Sequence, residues 1–181
     1  LIIGLLVKIT SRGPVIFKQE RVGKNGEIFT FYKFRSMKVG SDKDEEREKK
    51  ARQFVLGIDN SSGSKKIINE SNITFIGKFI RKFSFDELPQ LINILKGDMS
   101  FVGPRPCLPY EWDSYSPWHK SRLEGILPGL SGLWQISGRS EVKHDDMVIL
   151  DIYYKHNLSP WIDLEIILKT FPVIFKGFGG K

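Results

Sequence analysis

Two adjacent carboxylates, Asp86 and Glu87, are the side chains in this sequence best placed for chemistry on a phosphate group. They follow Ser84 at the start of a predicted helix, where unpaired backbone N–H groups attract anions, phosphates included. In that setting Asp86 can attack a phosphorus atom as a nucleophile while Glu87 holds a divalent cation. Proteins commonly bind Mg²⁺ through one or two carboxylates and the substrate's own phosphates, so this pair is sufficient for a magnesium site.

The same residues also have a purely structural explanation. Ser84 and Glu87 have the spacing of a capping box, in which each side chain bonds the other residue's backbone N–H group. Acidic residues also stabilise the amino end of a helix through its dipole. On the residues alone, helix capping is the simpler interpretation of Asp86 and Glu87, and catalysis is the alternative.

Three arginines near glycines, prolines or the carboxylate pair are candidate phosphate ligands. Arg81 lies one helical turn before the pair, Arg105 lies between two prolines, and Arg139 follows a glycine. A guanidinium group offers two parallel donors to phosphate oxygens, and the flanking prolines restrict where Arg105 points. Each arginine alone is typical of a surface charge, but together with the carboxylates they favour a phosphoryl-transfer site.

The composition predicts a single basic globular domain. The chain has 181 residues and a net charge of +7, which favours nucleic acid, acidic lipid or phosphorylated small molecules as partners. Its one cysteine, Cys107, excludes an intrachain disulfide and has no activating histidine close by in sequence. Neither a zinc-ligand spacing nor a P-loop or Rossmann glycine pattern is present, and the three histidines are scattered.

The elements that must position these residues form a helix-dominated α+β domain. Residues 15–20 and 28–34 are rich in β-branched and aromatic residues and flank an Asn-Gly turn, which predicts a β-hairpin with many basic side chains. Residues 58–72 and the glycine-containing stretch 127–139 are expected to be loops. Apolar periodicity and charge predict helices over 42–52, 73–83, 84–97, 110–124, 145–157 and 161–175.

Two apolar segments raise the question of a membrane. The run 1–7 is too short to cross a bilayer, and is either a core strand or the tail of a longer hydrophobic helix. The predicted helix 161–175 is very apolar for a surface helix, and Pro172 is expected to bend or stop it. With its flanking lysines it fits a membrane interface as well as a core. The expected fold therefore includes amphipathic interfacial helices.

The sequence as a whole resembles the bacterial sugar transferases, the monotopic polyprenol-phosphate phosphoglycosyl transferases. Any one of the shared motifs is weak, but the ordered set covers nearly the whole chain and is specific. The motifs are 11–15 (SRGPV), 20–23 (ERVG), 32–37 (YKFRSM), 85–91 (FDELPQL), 96–100 (KGDMS), 102–106 (VGPRP), 128–135 (PGLSGLWQ), 138–139 (GR) and 150–154 (LDIYY). This resemblance reverses the preference for helix capping at Asp86.

The resemblance implies a two-step reaction. Asp86 attacks the β-phosphate of a UDP-sugar and releases UMP, and the sugar-phosphate then passes from the enzyme to polyprenol (undecaprenyl) phosphate. Glu87 matches the family's Mg²⁺ ligand, which makes Mg²⁺ the expected cofactor. The positions that the family uses in or around its active site are Lys33, Arg81, Arg105, Arg139 and Asp163.

The resemblance also implies where the protein works. The family acts on the cytoplasmic face of the bacterial inner membrane, in the first membrane step of exopolysaccharide, O-antigen or glycoconjugate assembly. Residues 1–10 are then expected to be the remnant of a membrane-associated helix, and residues 11–181 the catalytic domain. Membrane lipid is an expected partner and nucleic acid is not. Galactose or glucose is the expected sugar.

A non-catalytic basic module that binds anionic membrane or nucleic acid is the competing class. It accounts for the net charge and for the aromatic residues within the basic hairpin. It gives no reason for a carboxylate pair beside rigidly held arginines. Salt-sensitive binding to unrelated polyanions would distinguish it from an enzyme.

Overall fold

The protein is described by a computed structural model that covers residues 2–41, 45–58, 70–138 and 142–175. Helices predominate, as expected for the α+β class, and a single small domain forms. The helices are α1 (Ile2–Thr10), α2 (Glu45–Val55), α3 (Phe75–Lys82), α4 (Gln90–Lys96), α5 (Pro109–Ser114), α6 (Pro117–Lys120), α7 (Leu133–Ser137), α8 (His144–His156) and α9 (Pro160–Phe175). The strands are β1 (Ile16–Val22), β2 (Ile28–Phe34), β3 (Ser100–Val102) and β4 (Gly129–Ser131).

The predicted β-hairpin is confirmed. Strands β1 and β2 pair antiparallel, from Ile16 opposite Phe34 to Val22 opposite Ile28. Asn25 adopts a left-handed conformation in the turn, with φ of 56°, as the Asn-Gly step indicates. At the far end of β1 the Val22 amide donates to the Cys107 carbonyl oxygen at 2.9 Å, which ties the hairpin to the rest of the domain.

A buried asparagine fixes helix α4 against the hairpin. Asn93 is fully buried, and its amide nitrogen donates to the Thr30 carbonyl oxygen at 2.6 Å. Its side-chain oxygen accepts from the Tyr32 amide at 3.2 Å. Since a buried amide costs free energy unless it is paired, these bonds favour one register between α4 and β2. The segment that precedes α4, with Asp86 and Glu87, is thereby held beside Lys33.

A short parallel sheet lies where the sequence predicted only loops. β3 pairs with β4, with Ser100 opposite Gly129 and Val102 opposite Ser131. The two backbones approach so closely that a Cβ atom added at Gly129 would overlap the amide nitrogen of Gly103. Strands of three residues are too short to show alternation, so no sequence pattern announces this pair.

Two predicted helices differ from those observed. The predicted helix 110–124 is wrong as one element, because α5 ends at Ser114 and Pro117 opens α6. Proline has no N–H group to donate within a continuous helix, but it is favoured in the first turn. The helix predicted from Ser84 begins only at Gln90, after a 3₁₀ turn over Phe85–Glu87.

The other predicted helices are observed with shifted ends. Helix α2 covers much of the predicted 42–52, of which 42–44 lie outside the described residues. Residues 59–69 of the predicted loop also lie outside the described residues, and Glu70–Asn72 form a 3₁₀ turn.

Pro172 does not stop α9, which continues to Phe175. The run at the amino end forms α1, so it is a helix and not a strand.

Two apolar clusters form much of the core among the described residues. The first joins the end of the hairpin to α2, α5 and the turn after α6, and consists of Val22, Val55, Cys107, Tyr115 and Leu123. The second joins the parallel sheet to α8 and α9, and consists of Val102, Ile126, Tyr154 and Ile166. The loop 103–106, which carries Arg105, connects Val102 of the second cluster to Cys107 of the first.

Several helices leave large apolar side chains in contact with solvent. On α1 and α3 these are Ile2, Leu5, Ile9, Phe75 and Phe79, and the two helices pack against each other. The α4 region and α9 add Leu88, Ile92, Leu95, Trp161, Leu164, Leu168 and Phe171. Among the helices of the described residues, none combines the length and apolarity needed to cross a membrane.

Candidate active site

Asp86 and Glu87 lie in a tight turn between two helices. Ser84 adopts a left-handed conformation with φ of 54°, which is rare outside glycine and costs about 1 kcal/mol. Within the described residues its side chain makes no capping hydrogen bond, and its carbonyl oxygen accepts from the Glu87 amide at 3.1 Å. The capping-box interpretation is therefore wrong, because Ser84 turns the chain instead of opening a helix.

Lys33 of β2 lies between the two carboxylates. Its Nζ is 2.8 Å from Oε1 of Glu87 and 3.8 Å from Oδ2 of Asp86. Nη2 of Arg105 lies 3.7 Å from the same Glu87 oxygen. Four of the residues expected at the active site are thus in contact, although they come from three separate parts of the chain.

Burial changes the acidity of Asp86. Its side chain is almost fully enclosed, and this desolvation raises the pKa of Asp86. The charges of Lys33 and Arg81 lower that pKa, and Glu87 raises it. A carboxylate that has lost its water shell is a stronger nucleophile, and the two cations help to keep it ionised. The environment therefore suits covalent catalysis.

Asp86 borders a cavity of about 510 Å³, a size typical of small-molecule sites. Asp86 is its only acidic wall residue among the described part of the chain, against seven basic ones. These are Lys18, Arg21, Lys33, Arg35, Lys38, Arg81 and Arg105. Such a wall is complementary to a ligand with several negative charges, such as a diphosphate.

The basic residues of the wall differ in how they are held. Arg35 is buried and donates to the carbonyl oxygens of Ser11 and Arg12, so it builds the wall. Arg81 lies in the last turn of α3, and in the described structure its buried Nε has no hydrogen-bond partner. A buried donor without a partner is costly unless a ligand satisfies it. Arg81 is therefore well placed to bind an anion.

Two expected site residues are not joined to this cluster by the structure. Arg139 lies outside the described residues. Asp163 of α9 accepts a hydrogen bond of 2.6 Å from the Tyr154 hydroxyl, and does not belong to the described cavity wall. The active-site role of both stays a prediction.

The donor set fits Mg²⁺. Asp86 and Glu87 offer the hard carboxylate oxygens that Mg²⁺ prefers, and the cationic cavity beside them has room for substrate phosphates. Oε1 of Glu87 also contacts the cationic groups of Lys33 and Arg105. Glu87 is the residue that would hold the metal.

Sequence reasoning missed a cluster formed by His119, His144 and Asp145. Nε2 of His119 lies 3.0 Å from Oδ1 of Asp145, and one ligating atom from each residue falls within 4.8 Å of the others. Burial lowers the pKa of His144 to about 4, so this ring is neutral at pH 7. None of the three belongs to the cavity wall among the described residues. His119 is distant in sequence from the adjacent pair His144 and Asp145, and this separation hid the contact.

Sequence reasoning also missed Arg122. This buried residue donates from Nη2 to the carbonyl oxygen of Arg105, which comes 17 positions earlier in the chain. Nothing in the local pattern around Arg122 distinguishes it from a surface charge.

Comparison with known proteins identifies a family to which the chain is similar. The family model described as "Bacterial sugar transferase" matches residues 1–177. Among curated proteins the chain is 49% identical to "Galactosyl transferase CpsE" of Streptococcus agalactiae over 93% of this chain and 36% of that protein. It is 42% identical to "Undecaprenyl-phosphate galactose phosphotransferase" of Salmonella typhimurium over 99% of this chain and 37% of that protein.

A shorter relative matches over most of its length. "Exopolysaccharide production protein ExoY" of Rhizobium meliloti is 40% identical over 96% of this chain and 76% of its own. The chain therefore spans little more than a third of the first two relatives and about three quarters of the third.

Proposed function

The chain belongs to the bacterial sugar transferase family, and from this premise we propose that it transfers a sugar-1-phosphate from a UDP-sugar to polyprenol phosphate. The observation that carries the proposal is the buried carboxylate of Asp86 at the wall of a cavity rich in arginine and lysine. A nucleophile there meets the phosphorus of a bound diphosphate, while the cations around it neutralise the phosphate oxygens.

The proposed reaction has two displacements at the same phosphorus atom. In the first, an Asp86 oxygen bonds to the β-phosphorus, the bond from that phosphorus to the bridging oxygen breaks, and UMP leaves. In the second, an oxygen of polyprenol phosphate bonds to the phosphorus and the aspartyl bond breaks, which frees Asp86. Atoms and charges balance without an oxidant or reductant.

The neighbouring side chains have separate parts in this scheme. Arg81 and Arg105 bind and orient the diphosphate through paired N–H donors. Lys33 stabilises the ionised form of Asp86, from which its Nζ is 3.8 Å. Mg²⁺ bound at Glu87 would supply positive charge to the phosphates and the leaving UMP.

The exposed apolar surface supports a lipid substrate. Phe79, Phe83 and Phe85 form a group of rings in edge-to-face and tilted contact directly before Asp86, with neighbouring centroids 5.1 to 6.4 Å apart. The exposed Lys78 and Lys82 of α3 lie beside them, a combination that suits the surface of an anionic bilayer. We infer that this side of the protein lies on the cytoplasmic face of the inner membrane, where a polyprenyl chain reaches Asp86.

The sugar is proposed from the relatives. Two of the compared proteins carry galactose in their names. Galactose is therefore the first candidate and glucose the second. The product would start an exopolysaccharide, O-antigen or glycoconjugate unit.

UMP release tests the function. Detergent-solubilised protein with Mg²⁺, polyprenol phosphate and UDP-galactose is expected to release UMP, in an amount limited by the lipid acceptor. UDP-glucose and UDP-N-acetylated sugars serve as the comparison panel. Absence of UMP across the whole panel would contradict the proposal. Binding to unrelated polyanions that weakens steeply with salt would favour a basic module instead.

The pH dependence of the first step should respond to Lys33. Lys33 lowers the pKa of Asp86, so Lys33→Met is expected to raise it further. Because the ionised carboxylate is the nucleophile, the acidic limb of the rate of UMP release then moves to higher pH. A fixed-time assay of UMP release from pH 5 to 9 measures the shift. Lys50→Met, at an exposed position of α2, is the matched control. An unchanged limb would mean that Asp86 ionisation does not control the rate.

A further inference from the structure

The loop that carries Arg105 is held by its backbone at three consecutive residues. The Pro104 carbonyl oxygen accepts from the Gly129 amide at 2.9 Å, and the Pro106 carbonyl oxygen accepts from Nη1 of Arg21 at 3.2 Å. The carbonyl oxygen between them, that of Arg105 itself, accepts from Nη2 of Arg122. Two flanking prolines restrict the remaining backbone freedom. The side chain of Arg105 therefore leaves a fixed base.

Arg122 is an unusual donor for this purpose because it is a buried charge. Its exposed fraction is 5%, and it is absent from the cavity wall as far as the described residues define it. An enclosed guanidinium costs several kcal/mol unless counter-charge and hydrogen bonds compensate it. Fixing a carbonyl oxygen alone needs only a neutral donor, so the charge requires an explanation.

The compensation comes from α8 and from an aromatic ring. Nη1 of Arg122 lies 3.5 Å from Oδ2 of Asp151, which is fully buried. The Arg122 guanidinium also lies over the ring of Tyr115, 5.8 Å from its centroid. One planar group thus connects α8, the Tyr115 segment and the Arg105 loop. A lysine at this position has a single nitrogen and cannot make both the ion pair and the carbonyl bond in the same geometry.

We propose that Arg122 is a positioning residue for the active site, which fixes the backbone of Arg105 so that the Arg105 guanidinium is directed to Glu87 and the substrate phosphate. The proposal rests on the proposed function and goes beyond it, because Arg122 itself touches neither the cavity nor the carboxylate pair. The structural link is the distance of 3.7 Å between Nη2 of Arg105 and Oε1 of Glu87. A misplacement of about 1 Å at such a site lowers the rate by about a hundredfold.

A double-mutant cycle with Arg105 tests the proposal. Arg122→Lys is expected to lower kcat/KM for the UDP-sugar by ten- to a hundredfold in the wild-type background. In the Arg105→Ala background the same change should have little further effect, because the group that Arg122 positions is gone. Arg52→Lys is the matched control and should leave kcat/KM unchanged, because this half-buried arginine pairs with Glu48 of α2 and lies outside the described cavity wall. Equal losses in both backgrounds would overturn the proposal.

A second variant separates positioning from folding. Removing Arg122 alone leaves Asp151 as a buried unpaired acid, but Arg122→Met with Asp151→Leu removes both charges, an exchange that proteins often tolerate. Burial already raises the pKa of Asp151 to about 7, so its ionised form is costly to the fold. The double variant is expected to keep its melting temperature and still lose kcat/KM. Full activity in a folded double variant would contradict the proposal.

A measurement that does not depend on turnover separates the positioning role of Arg122 from the proposed reaction. The Nε–H signal of Arg105 in a ¹⁵N-arginine NMR spectrum is expected to show greater fast motion in Arg122→Lys than in the wild type or in Arg52→Lys. Unchanged Arg105 dynamics would count against positioning whether or not the protein is active. If the wild type releases no UMP while Arg105 still loosens in the variant, the proposed reaction fails and the positioning contact stands.

Discussion

Asp86→Asn is expected to abolish the sugar-phosphate adduct and to lower UMP release by about a thousandfold or more, as removal of a covalent nucleophile does in other enzymes. The amide has nearly the shape of the carboxylate but no anionic oxygen to attack phosphorus. Intact-mass spectrometry of protein incubated with UDP-sugar and Mg²⁺, without polyprenol phosphate, measures the adduct directly. The exposed Asp113 of α5 provides the matched control, and Asp113→Asn should form the adduct normally.

Stability measurements distinguish this loss from unfolding. Burial raises the pKa of Asp86 in the folded protein above the pKa of the same group in the unfolded chain. Protonated Asp86 therefore favours the native state, and this contribution to stability is lost as pH rises through the folded pKa. Asn removes the buried negative charge, so at pH 7 the variant should melt at the wild-type temperature or above it. An adduct that persists in Asp86→Asn would mean that another residue is the nucleophile.

Glu87→Gln is expected to weaken the binding of Mg²⁺ and to lower the rate by a hundred- to a thousandfold, typical of losing one electrostatic stabiliser of the transition state. The glutamine keeps the size of the side chain but loses the charge that attracts the cation. Titration of UMP release with Mg²⁺ should show a midpoint shifted to higher concentration. Glu124→Gln, at an exposed acid, is the control. An unchanged Mg²⁺ midpoint in Glu87→Gln would contradict the assignment of Glu87 as ligand.

Glu87→Gln also has an effect on its neighbour. Glu87 raises the pKa of Asp86, so its neutralisation is expected to lower that pKa and to move the acidic limb of activity downwards. Lys33→Met has the opposite sign. The two variants together therefore test whether Asp86 titrates in the rate, independently of how much activity either retains.

The local part of the structure could be predicted from the sequence where a short-range rule applies. β-Branched and aromatic residues with the Asn-Gly step determine the hairpin, and apolar periodicity determines α3 and α8. The ordered motifs predicted that Lys33, Asp86 and Arg105 belong to one active site, and in the structure these three residues line the same cavity. Each of these predictions uses information contained within a few residues, or within a motif of known order.

The parts that failed depend on contacts between distant segments. The pairing of β3 with β4 is invisible because neither strand has enough residues to show a period. The spacing of Ser84 and Glu87 fits a capping box, but packing of α4 through Asn93 against β2 imposes a tight turn instead. The proposed role of Arg122 depends on Asp151 and on the carbonyl oxygen of Arg105, and neither residue is close to Arg122 in the sequence.

The parallel pairing of β3 and β4 has a consequence for how the protein acquires its activity. Two helices, α5 and α6, lie in the chain between these strands, so pairing must close a long loop and lose its entropy before the bonds form. Contacts of this kind slow folding, whereas the hairpin closes locally. The bond from Gly129 to Pro104 belongs to this non-local contact, so the backbone of the Arg105 loop is expected to be fixed after the hairpin that carries Lys33. For the proposed enzyme, catalytic competence would then follow the pairing of β3 with β4 and not the closing of the hairpin.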